Sequence, residues 1–160
     1  MKYIISAGTN IGDREKNILQ AAEALSLVPK TQVLRYSKIY ETEPVGYAGQ
    51  ENFYNACFEV ESALEPNELL GVCLGIEAGF GRVRAFKNGP RILDLDVIFA
   101  ENNRIETANL TLPHPRFSER RFVLIPLLEL FPSGEAYGIA FSQFLLGIKG
   151  QAIKELEVKN

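Results

Sequence analysis

The order of strand-like and helix-like segments is the feature that most constrains the fold of this chain. Four segments have the apolar, β-branched and aromatic character of strands, and they cover residues 3–7, 33–40, 53–60 and 93–100. One predicted helix follows the N-capping residue Asp13, and a second begins at Pro66. The resulting order, β-α-β-β-α-β, predicts an α+β fold with a ferredoxin-like core.

Both predicted helices carry an apolar side at helical spacing. In the first helix this side runs from Ile18 to Val28, before Pro29 ends the segment. In the second helix it is predicted to contain Leu69, Leu70, Cys73, Leu74 and Ile76.

The last third of the chain has weaker signals. Residues 122–131 favour a strand or a short helix interrupted by Pro126, and residues 141–148 favour a helix. Because 160 residues is an ordinary length for one domain, we interpret this third as a C-terminal elaboration of the same domain. The expected organisation is a single domain, 1–160.

Charge and apolar content exclude several classes of protein. Lys and Arg number 17 against 20 Asp and Glu, and the formal net charge of −3 argues against a broad nucleic-acid-binding face. No apolar run approaches the roughly 18 residues of a membrane span, and the N-terminus lacks the apolar segment of a signal peptide. We therefore expect a cytoplasmic protein without nucleic-acid or membrane partners, and a monomer. Cys57 and Cys73 lie in apolar runs and are expected to be reduced and buried.

The segment Gly89–Phe99 contains the most informative chemistry. Side chains alternate along a strand, so Asp94 and Asp96 point to the same face. Two carboxylates whose Cα atoms lie about 6.5–7 Å apart can converge on one metal ion or bridge two. All-oxygen ligation favours Mg²⁺. The alternative is a half-solvated strand whose polar face has no ligand.

Basic residues before this pair favour a site for a metal-bound polyphosphate. Four cations precede it with no carboxylate between them and the pair: Arg82, Arg84, Lys87 and Arg91. Guanidinium groups can hold phosphate oxygens in pairs while the carboxylates hold the cation. The alternative is a solvated basic loop that pairs with the aspartates directly.

A second basic cluster surrounds the single histidine, His114. Two prolines flank His114, and Arg116, Arg120 and Arg121 follow it. A ligand contact and a structural role are about equally supported for this histidine.

A candidate pocket for a flat heterocycle lies earlier in the chain. A Gly- and Pro-containing loop over residues 41–50 precedes the predicted strand that places Phe53 and Asn55 on one face. An aromatic ring can stack on a heterocycle, and an amide can read the edge of a pterin or purine. The alternative is that Phe53 belongs to the core and Asn55 to a turn.

Two nucleotide-binding motifs are absent. The chain has no Walker-type phosphate loop, and Gly8-Thr9-Asn10-Ile11-Gly12 lacks the glycine spacing of dinucleotide-binding folds. This segment is better explained as a strand-to-helix turn. No Cys–His or Ser–His–Asp set has recognisable spacing, which argues against nucleophilic catalysis by the protein.

Several motifs together resemble the 6-hydroxymethyl-7,8-dihydropterin pyrophosphokinase family. The segment Gly89–Asp96 resembles its signature, and the turn Gly8–Gly12 resembles its opening motif. The resemblance spans nearly the whole chain and includes segments 40–55, 81–84, 112–116 and 120–124. Asn88 stands where some members have an aromatic residue, and Leu74 where some have a polar residue that contacts ATP.

The resemblance implies a ferredoxin-like fold and an activity. The family transfers pyrophosphate from ATP to the hydroxymethyl group of the pterin and releases AMP, in folate biosynthesis. The resemblance implies that Asp94 and Asp96 hold two Mg²⁺ ions and that Arg82 and Arg91 engage the triphosphate. It places the ATP site at Glu77, Arg84, Thr111, His114 and Arg120. It places the pterin pocket at Thr42, Pro44, Val45, Phe53, Asn55 and Phe122.

Two other functions remain as alternatives at this stage. The phosphate half of the site also suits a Mg²⁺-dependent nucleotidyl or phosphoryl transferase with another acceptor. A non-catalytic, RNA-binding ferredoxin-like module is the other alternative. The net acidic charge and the absence of an aromatic RNA-binding strand motif argue against that module.

Overall fold

A six-stranded antiparallel sheet with helices on both faces forms the centre of the computed structural model. The structure describes residues 1–44, 49–81, 90–101, 104–148 and 153–155. The helices are α1 (Arg14–Ser26), α2 (Pro66–Gly79) and α3 (Arg121–Leu130). The longer strands are β1 (Lys2–Thr9), β2 (Thr31–Tyr36), β3 (Tyr40–Thr42), β4 (Phe53–Ser62) and β5 (Asp94–Ala100). The short strands are β6 (Ile105–Glu106), β7 (Thr111–Leu112), β8 (Glu135–Ala136), β9 (Ile139–Ala140) and β10 (Ile153–Glu155), and 3₁₀ helices cover Phe117–Glu119 and Ser142–Gly147.

Strand β1 lies at the middle of the sheet. Its neighbours are β4 and β5, and the full order is β10-β3-β4-β1-β5, with β2 pairing to β4 beside β3. Each pairing in this sheet is antiparallel. The two small hairpins, β6–β7 and β8–β9, stand outside it. The molecule is therefore a mixed α+β fold, as the order of segments predicted.

Helices α1 and α2 begin where the sequence places their capping residues. The Asp13 carboxylate accepts a hydrogen bond from the Lys16 backbone N–H at 3.1 Å, and α1 starts at the next residue. Pro66 is the first residue of α2, which also has a capping box formed by Glu65 and Glu68. Leu74 does not lie on the buried side of α2 as predicted, because it is 50% exposed.

The two faces of the sheet are covered unequally. On one face, α1 and α2 pack against alternate residues of β1, β4 and β5, and this cluster includes Ile5, Leu25 and Leu69. On the other face, α3 packs on a second cluster that includes Ile4, Cys57 and Phe99. These three residues lie away from the end of β1 that leads into α1. The polar candidate residues lie on the same face, toward that end.

The strand predicted over residues 33–40 is divided into β2 and β3, so the prediction of one continuous strand is wrong. At the break, the Ser37 hydroxyl accepts a hydrogen bond from the Cys57 backbone N–H at 3.0 Å. The Ser37 backbone N–H donates to the Cys57 carbonyl at 2.9 Å. A side-chain oxygen has replaced a backbone acceptor at this point, which interrupts the ladder.

In the last third, residues 121–130 form a helix rather than a strand. Val123, Leu124, Leu127 and Leu130 are buried at helical spacing. The helix predicted over 141–148 is a 3₁₀ helix, and the two hairpins were not predicted. Among the described residues, no helix is long and apolar enough to cross a membrane.

Two polar networks fasten this third to the sheet. Glu59 of β4 accepts hydrogen bonds from Arg35 at 3.0 Å and from the Tyr137 hydroxyl at 2.7 Å. Arg35 also donates to the Leu130 carbonyl at the end of α3, at 2.7 Å. Glu129 accepts a hydrogen bond from the Tyr40 hydroxyl at 2.7 Å. Helix α3 is therefore held to β2, β3 and β4 by named contacts.

Candidate active site

The candidate site lies where β3, β4, β1 and β5 present polar side chains on one face. Gly8 of β1 pairs with Asn55 on one side and Asp94 on the other. Ser6, two residues earlier, pairs with Cys57 and Asp96. Directly paired residues share a face, so the Asn55 and Asp94 side chains stand on the same side, about 9–10 Å apart across β1.

Gly8 places no side chain between Asn55 and Asp94. A Cβ atom at this position would lie 3.0 Å from Asn55 Oδ1, which is tighter than an ordinary contact. The absence of a side chain therefore allows Asn55 to approach β1 closely. The ring of Phe53 lies on the same side, 3.9 Å from the position of that Cβ.

The two carboxylates of β5 are partly exposed, as the strand alternation predicts. Asp94 and Asp96 have side chains that are 20% and 45% exposed, while Leu95 and Val97 between and after them are buried. No group of three or more metal-binding side chains occurs among the described residues. A pair of carboxylates suits Mg²⁺, which proteins usually bind through one or two carboxylates together with substrate phosphates. The donor set therefore fits this ion.

One arginine lies against each aspartate. Arg91 Nε is 3.1 Å from Asp94 Oδ2, although its N–H bond does not point along a hydrogen bond. This buried nitrogen makes no hydrogen bond within the described part of the chain. Arg120 Nη1 lies 3.5 Å from Asp96 Oδ2. Burial lowers the pKa of Arg120, and the negative charge of Asp96 opposes that effect.

Arg120 also faces the opposite part of the site. Its guanidinium lies 5.6 Å from the centre of the Phe122 ring, which is partly buried on α3. The structure therefore brings Phe122, a predicted pterin contact, next to a predicted ATP contact.

His114 follows β7 and is fixed against β5. Its backbone N–H donates to the Ile98 carbonyl at 2.8 Å, and its Nδ1 accepts from the Arg116 backbone N–H at 3.1 Å. In the neutral ring the proton is then on Nε2, which can donate to a ligand. Burial lowers the pKa of His114, with Arg120 and Arg116 acting in the same direction and Asp96 against it. Thr111 is exposed on β7 in the same segment.

Glu77 lies beneath the carboxylate pair. It is 2% exposed on α2, and its Oε2 accepts a hydrogen bond from the Leu95 backbone N–H at 2.8 Å. Leu95 lies between Asp94 and Asp96 in β5, where its register partner in β1 is Ala7. Glu77 therefore holds the backbone that carries both carboxylates.

The predicted pterin residues gather on the other side of Gly8. Asn55 Nδ2 donates to Thr42 Oγ1 at 2.7 Å, and both residues are buried. Phe53 pairs with Thr42 across β3 and β4 and is partly exposed. Pro44 follows β3 and is partly buried. Asn55 is thus part of a strand, and its amide is hydrogen-bonded to Thr42.

Three predicted site residues lie outside the described residues: Arg82, Arg84 and Val45. Sequence reasoning also missed one residue that joins the two sides. Asn10 is 3% exposed and bonds to Arg91, Gln50 and Glu51. It was treated as part of a glycine turn, and its only sequence signal was an amide between two glycine positions at a strand end.

A carboxylate pair with arginines beside it, on the same sheet face as an aromatic ring and an amide, is typical of enzymes that act on metal-bound polyphosphates. The sequence model of the 7,8-dihydro-6-hydroxymethylpterin-pyrophosphokinase family matches residues 4–132. The chain belongs to this family.

Curated relatives carry the corresponding name. A protein of Bacillus subtilis named 2-amino-4-hydroxy-6-hydroxymethyldihydropteridine pyrophosphokinase is 45% identical over 126 residues, which are 79% of this chain and 75% of that one. A protein of the same name from Methylorubrum extorquens is 37% identical over 153 residues, covering 96% and 97% of the two chains. A crystal structure of an HPPK-DHPS protein in complex with substrates has the same fold, with a TM-score of 0.64 at 15% identity. That match covers 91% of this chain but only 43% of the other.

Proposed function

We propose that this chain transfers a pyrophosphoryl group from ATP to the hydroxymethyl group of 6-hydroxymethyl-7,8-dihydropterin, releasing AMP, as a step of folate biosynthesis. The observation that carries the proposal is the row Asn55–Gly8–Asp94, which sets an amide pocket and a carboxylate pair on one sheet face. The acceptor and the donor phosphates can then lie side by side over Gly8.

Two Mg²⁺ ions are proposed at Asp94 and Asp96, where the all-oxygen donor set supports them. When bound, the ions would neutralise phosphate charge and make the acceptor hydroxyl more acidic. The protein's part is to hold both carboxylates on one face, through the strand alternation and the Glu77–Leu95 hydrogen bond.

The proposed phosphate contacts are the arginines that now lie against the aspartates. Arg91 and Arg120 are each within 3.5 Å of a carboxylate oxygen, so both are already at the site. As the bond to AMP breaks, guanidinium groups stabilise the charge that develops on phosphate oxygens. Arg82 is proposed to act with Arg91, and the remaining ATP contacts are proposed to be Glu77, Arg84, Thr111, His114 and Arg120.

The acceptor pocket is proposed at Asn55 and its surroundings. The Asn55–Thr42 hydrogen bond holds the Asn55 side chain on this face, where its amide can donate to and accept from a pterin edge. Phe53 and Phe122 are the aromatic rings that can stack on the pterin. The full proposed set is Thr42, Pro44, Val45, Phe53, Asn55 and Phe122.

The finer points of organisation are also proposals. A ferredoxin-like core is supported by the sheet order β3-β4-β1-β5 together with α1 and α2 on one face. We propose that residues 1–160 act as one domain, as a monomer in the cytoplasm. Gel filtration with light scattering measures the molar mass in solution. A mass of two chains would contradict the proposed monomer.

The test of the activity is product identity. The protein is incubated with ATP, Mg²⁺ and 6-hydroxymethyl-7,8-dihydropterin, and the nucleotides and pterins are separated by ion exchange. We expect AMP to form in step with a pterin diphosphate. Formation of ADP would mean single phosphoryl transfer and would contradict the proposal. If the protein bound ATP but formed no product, the proposed acceptor would be wrong.

A further inference from the structure

Asn10 lies in a turn that contacts segments on both sides of the site. It follows β1 directly, and its side chain and backbone are buried. Its backbone N–H donates to the Arg91 carbonyl at 2.9 Å, and its Oδ1 accepts from the Arg91 backbone N–H at 2.7 Å. Asn10 therefore holds both polar backbone groups of the residue that leads into β5.

The same amide holds the segment that leads into β4. Asn10 Nδ2 donates to the Gln50 Oε1 atom at 2.8 Å and to the Glu51 carbonyl at 2.9 Å. The orientation of the amide is unambiguous, because the Arg91 N–H can only donate and the Glu51 carbonyl can only accept. Each of the two N–H bonds and one oxygen lone pair of Asn10 is thus used.

The turn itself is held in place by α1. Asn17 Nδ2 donates to Thr9 Oγ1 at 3.1 Å and to the Ile11 carbonyl at 2.9 Å. Arg14 donates to the Asn52 carbonyl at 2.9 Å, and its guanidinium lies 4.1 Å from the centre of the Tyr54 ring. Because α1 fixes the turn and the start of β4, Asn10 acts from a rigid support.

We infer that Asn10 is a positioning residue that fixes the acceptor side of the site, at Phe53 and Asn55, relative to the donor side at Asp94 and Asp96. This inference rests on the proposed function. The Gln50–Glu51 segment leads to Phe53 and Asn55, whereas Arg91 leads to Asp94 and Asp96. A single buried amide therefore fixes the distance between the pterin pocket and the carboxylates. The Asn10 side chain bonds to residues before β4 and β5, so its effect is exerted through the starts of these two strands.

The test compares Asn10→Asp with Asn10→Ala in the full chain. The Asp variant keeps an oxygen for the Arg91 N–H but loses both donors to residues 50–51. We expect its KM for the pterin to rise about tenfold, with KM for ATP within about twofold of the wild type. The Ala variant loses the side-chain hydrogen bonds to Arg91 and to residues 50–51. We expect both KM values to rise and kcat to fall.

Two controls separate this role from charge and from folding. Gln50→Glu adds the same negative charge at the same contact while keeping an acceptor for Asn10 Nδ2, and we expect its pterin KM to stay within about threefold of the wild type. Amide exchange of Arg91, read by NMR without ligands, should stay slow in Asn10→Asp and become faster in Asn10→Ala. This readout does not depend on turnover.

The outcomes distinguish the inference from the proposed function. If the wild type forms no AMP, the proposed function fails, whatever the exchange data show. If the wild type turns over but both Asn10 variants change the two KM values equally, or neither changes them, the inference is wrong. If Gln50→Glu behaves as Asn10→Asp does, charge explains the effect and the inference is also wrong.

Discussion

At the scale of single residues, the candidate site is built around arginine–aspartate ion pairs. Arg91 and Arg120 each lie beside one aspartate of β5. Binding of a metal-bound triphosphate would exchange these contacts for arginine–phosphate and carboxylate–metal contacts, so opposite charges remain matched in both states. This matching explains how several charged groups can lie half-buried on one sheet face.

Replacing Asp96 by Ala tests the carboxylate pair. We expect kcat to fall by at least about 10²-fold, because one of the two charges available to a cation is removed. Asp96 is 45% exposed, so the variant should fold, and its far-ultraviolet circular dichroism and thermal midpoint should resemble those of the wild type. Glu61→Ala, which removes an exposed carboxylate at the far end of β4, is the matched control. Retained activity in Asp96→Ala would exclude this residue as a metal ligand.

At the scale of elements, each half of the site depends on how its strand is held. Strand β5 is held on one side by β1 and on the other by Glu77 of α2. Strand β4 carries Asn55 in the interior of the sheet, where Thr42 and Gly8 are its neighbours. The elements therefore hold the side chains of the proposed site in place.

Glu77 variants should separate a hydrogen-bond role from a charge role. Glu77→Ala leaves the buried Leu95 N–H without its acceptor, and we expect the free energy of unfolding to fall by about 1–3 kcal/mol. Glu77→Gln keeps a carbonyl acceptor and should unfold much closer to the wild type. Urea denaturation of the three proteins measures this. Equal losses in both variants would show that the carboxylate charge, rather than the hydrogen bond, stabilises β5.

Alanine at Gly8 should damage the pterin side selectively. The added Cβ would lie 3.0 Å from Asn55 Oδ1 and would displace that side chain by a few tenths of an ångström. We expect KM for the pterin to rise about tenfold, as the loss of one well-oriented hydrogen bond would cause. Steady-state kinetics with each substrate varied would show the difference.

Gly75→Ala is the matched control for that variant. A Cβ at Gly75 meets nothing within 4 Å, and the residue is in the interior of α2. We expect the free energy of unfolding to rise by about 0.5–1 kcal/mol with kinetics unchanged. A pterin KM that rose equally in both variants would contradict the argument from Gly8.

The elements that sequence alone predicted are those with local signals. Asp13 and Pro66 mark the starts of α1 and α2, and the alternation of Asp94 to Val97 gives the face of each carboxylate. The division of β2 from β3 was not predictable, because Ser37 bonds to Cys57, 20 residues away. The link from Asn10 to Arg91 spans 81 residues and was missed for the same reason.

At the scale of the whole molecule, the two faces of the sheet differ: both carry apolar clusters, but only one carries the proposed site. One face is closed by α1 and α2 and is apolar throughout its cluster, whereas the other is closed by α3 over only part of its area. The networks around Glu59 and Glu129 hold α3 in that position. Stability therefore comes from both clusters, while the end of the second face near Gly8 carries the residues of the proposed site.

The two buried cysteines make the stability of the whole molecule sensitive to alkaline pH. Burial raises the pKa of Cys57 and of Cys73 from 9.0 to about 12. Above pH 9 the unfolded chain loses these protons while the folded chain retains them, so the free energy of unfolding falls as pH rises. The slope should reach about 1.4 kcal/mol per pH unit for each cysteine.

Urea denaturation between pH 8 and pH 10 measures this slope. A variant with both Cys57→Ala and Cys73→Ala should be less stable at pH 8 but should lose less stability as pH rises. An unchanged slope in that variant would assign the alkaline loss to other groups, such as Tyr3, whose pKa burial raises from 10.0 to about 12.

The bare position at Gly8 also bears on how such an enzyme can diversify. Thr42, Phe53 and Asn55 lie on strands to one side of it, and Asp94 and Asp96 lie on the strand to the other side. Gly8, which lies between the two groups, has no side chain and therefore selects for neither substrate. In the proposed site, substitutions that alter the choice of acceptor can then accumulate on β3 and β4 while the proposed donor residues on β5 stay unchanged. A lineage that comes to use a different acceptor alcohol can therefore keep the residues of β5 unchanged.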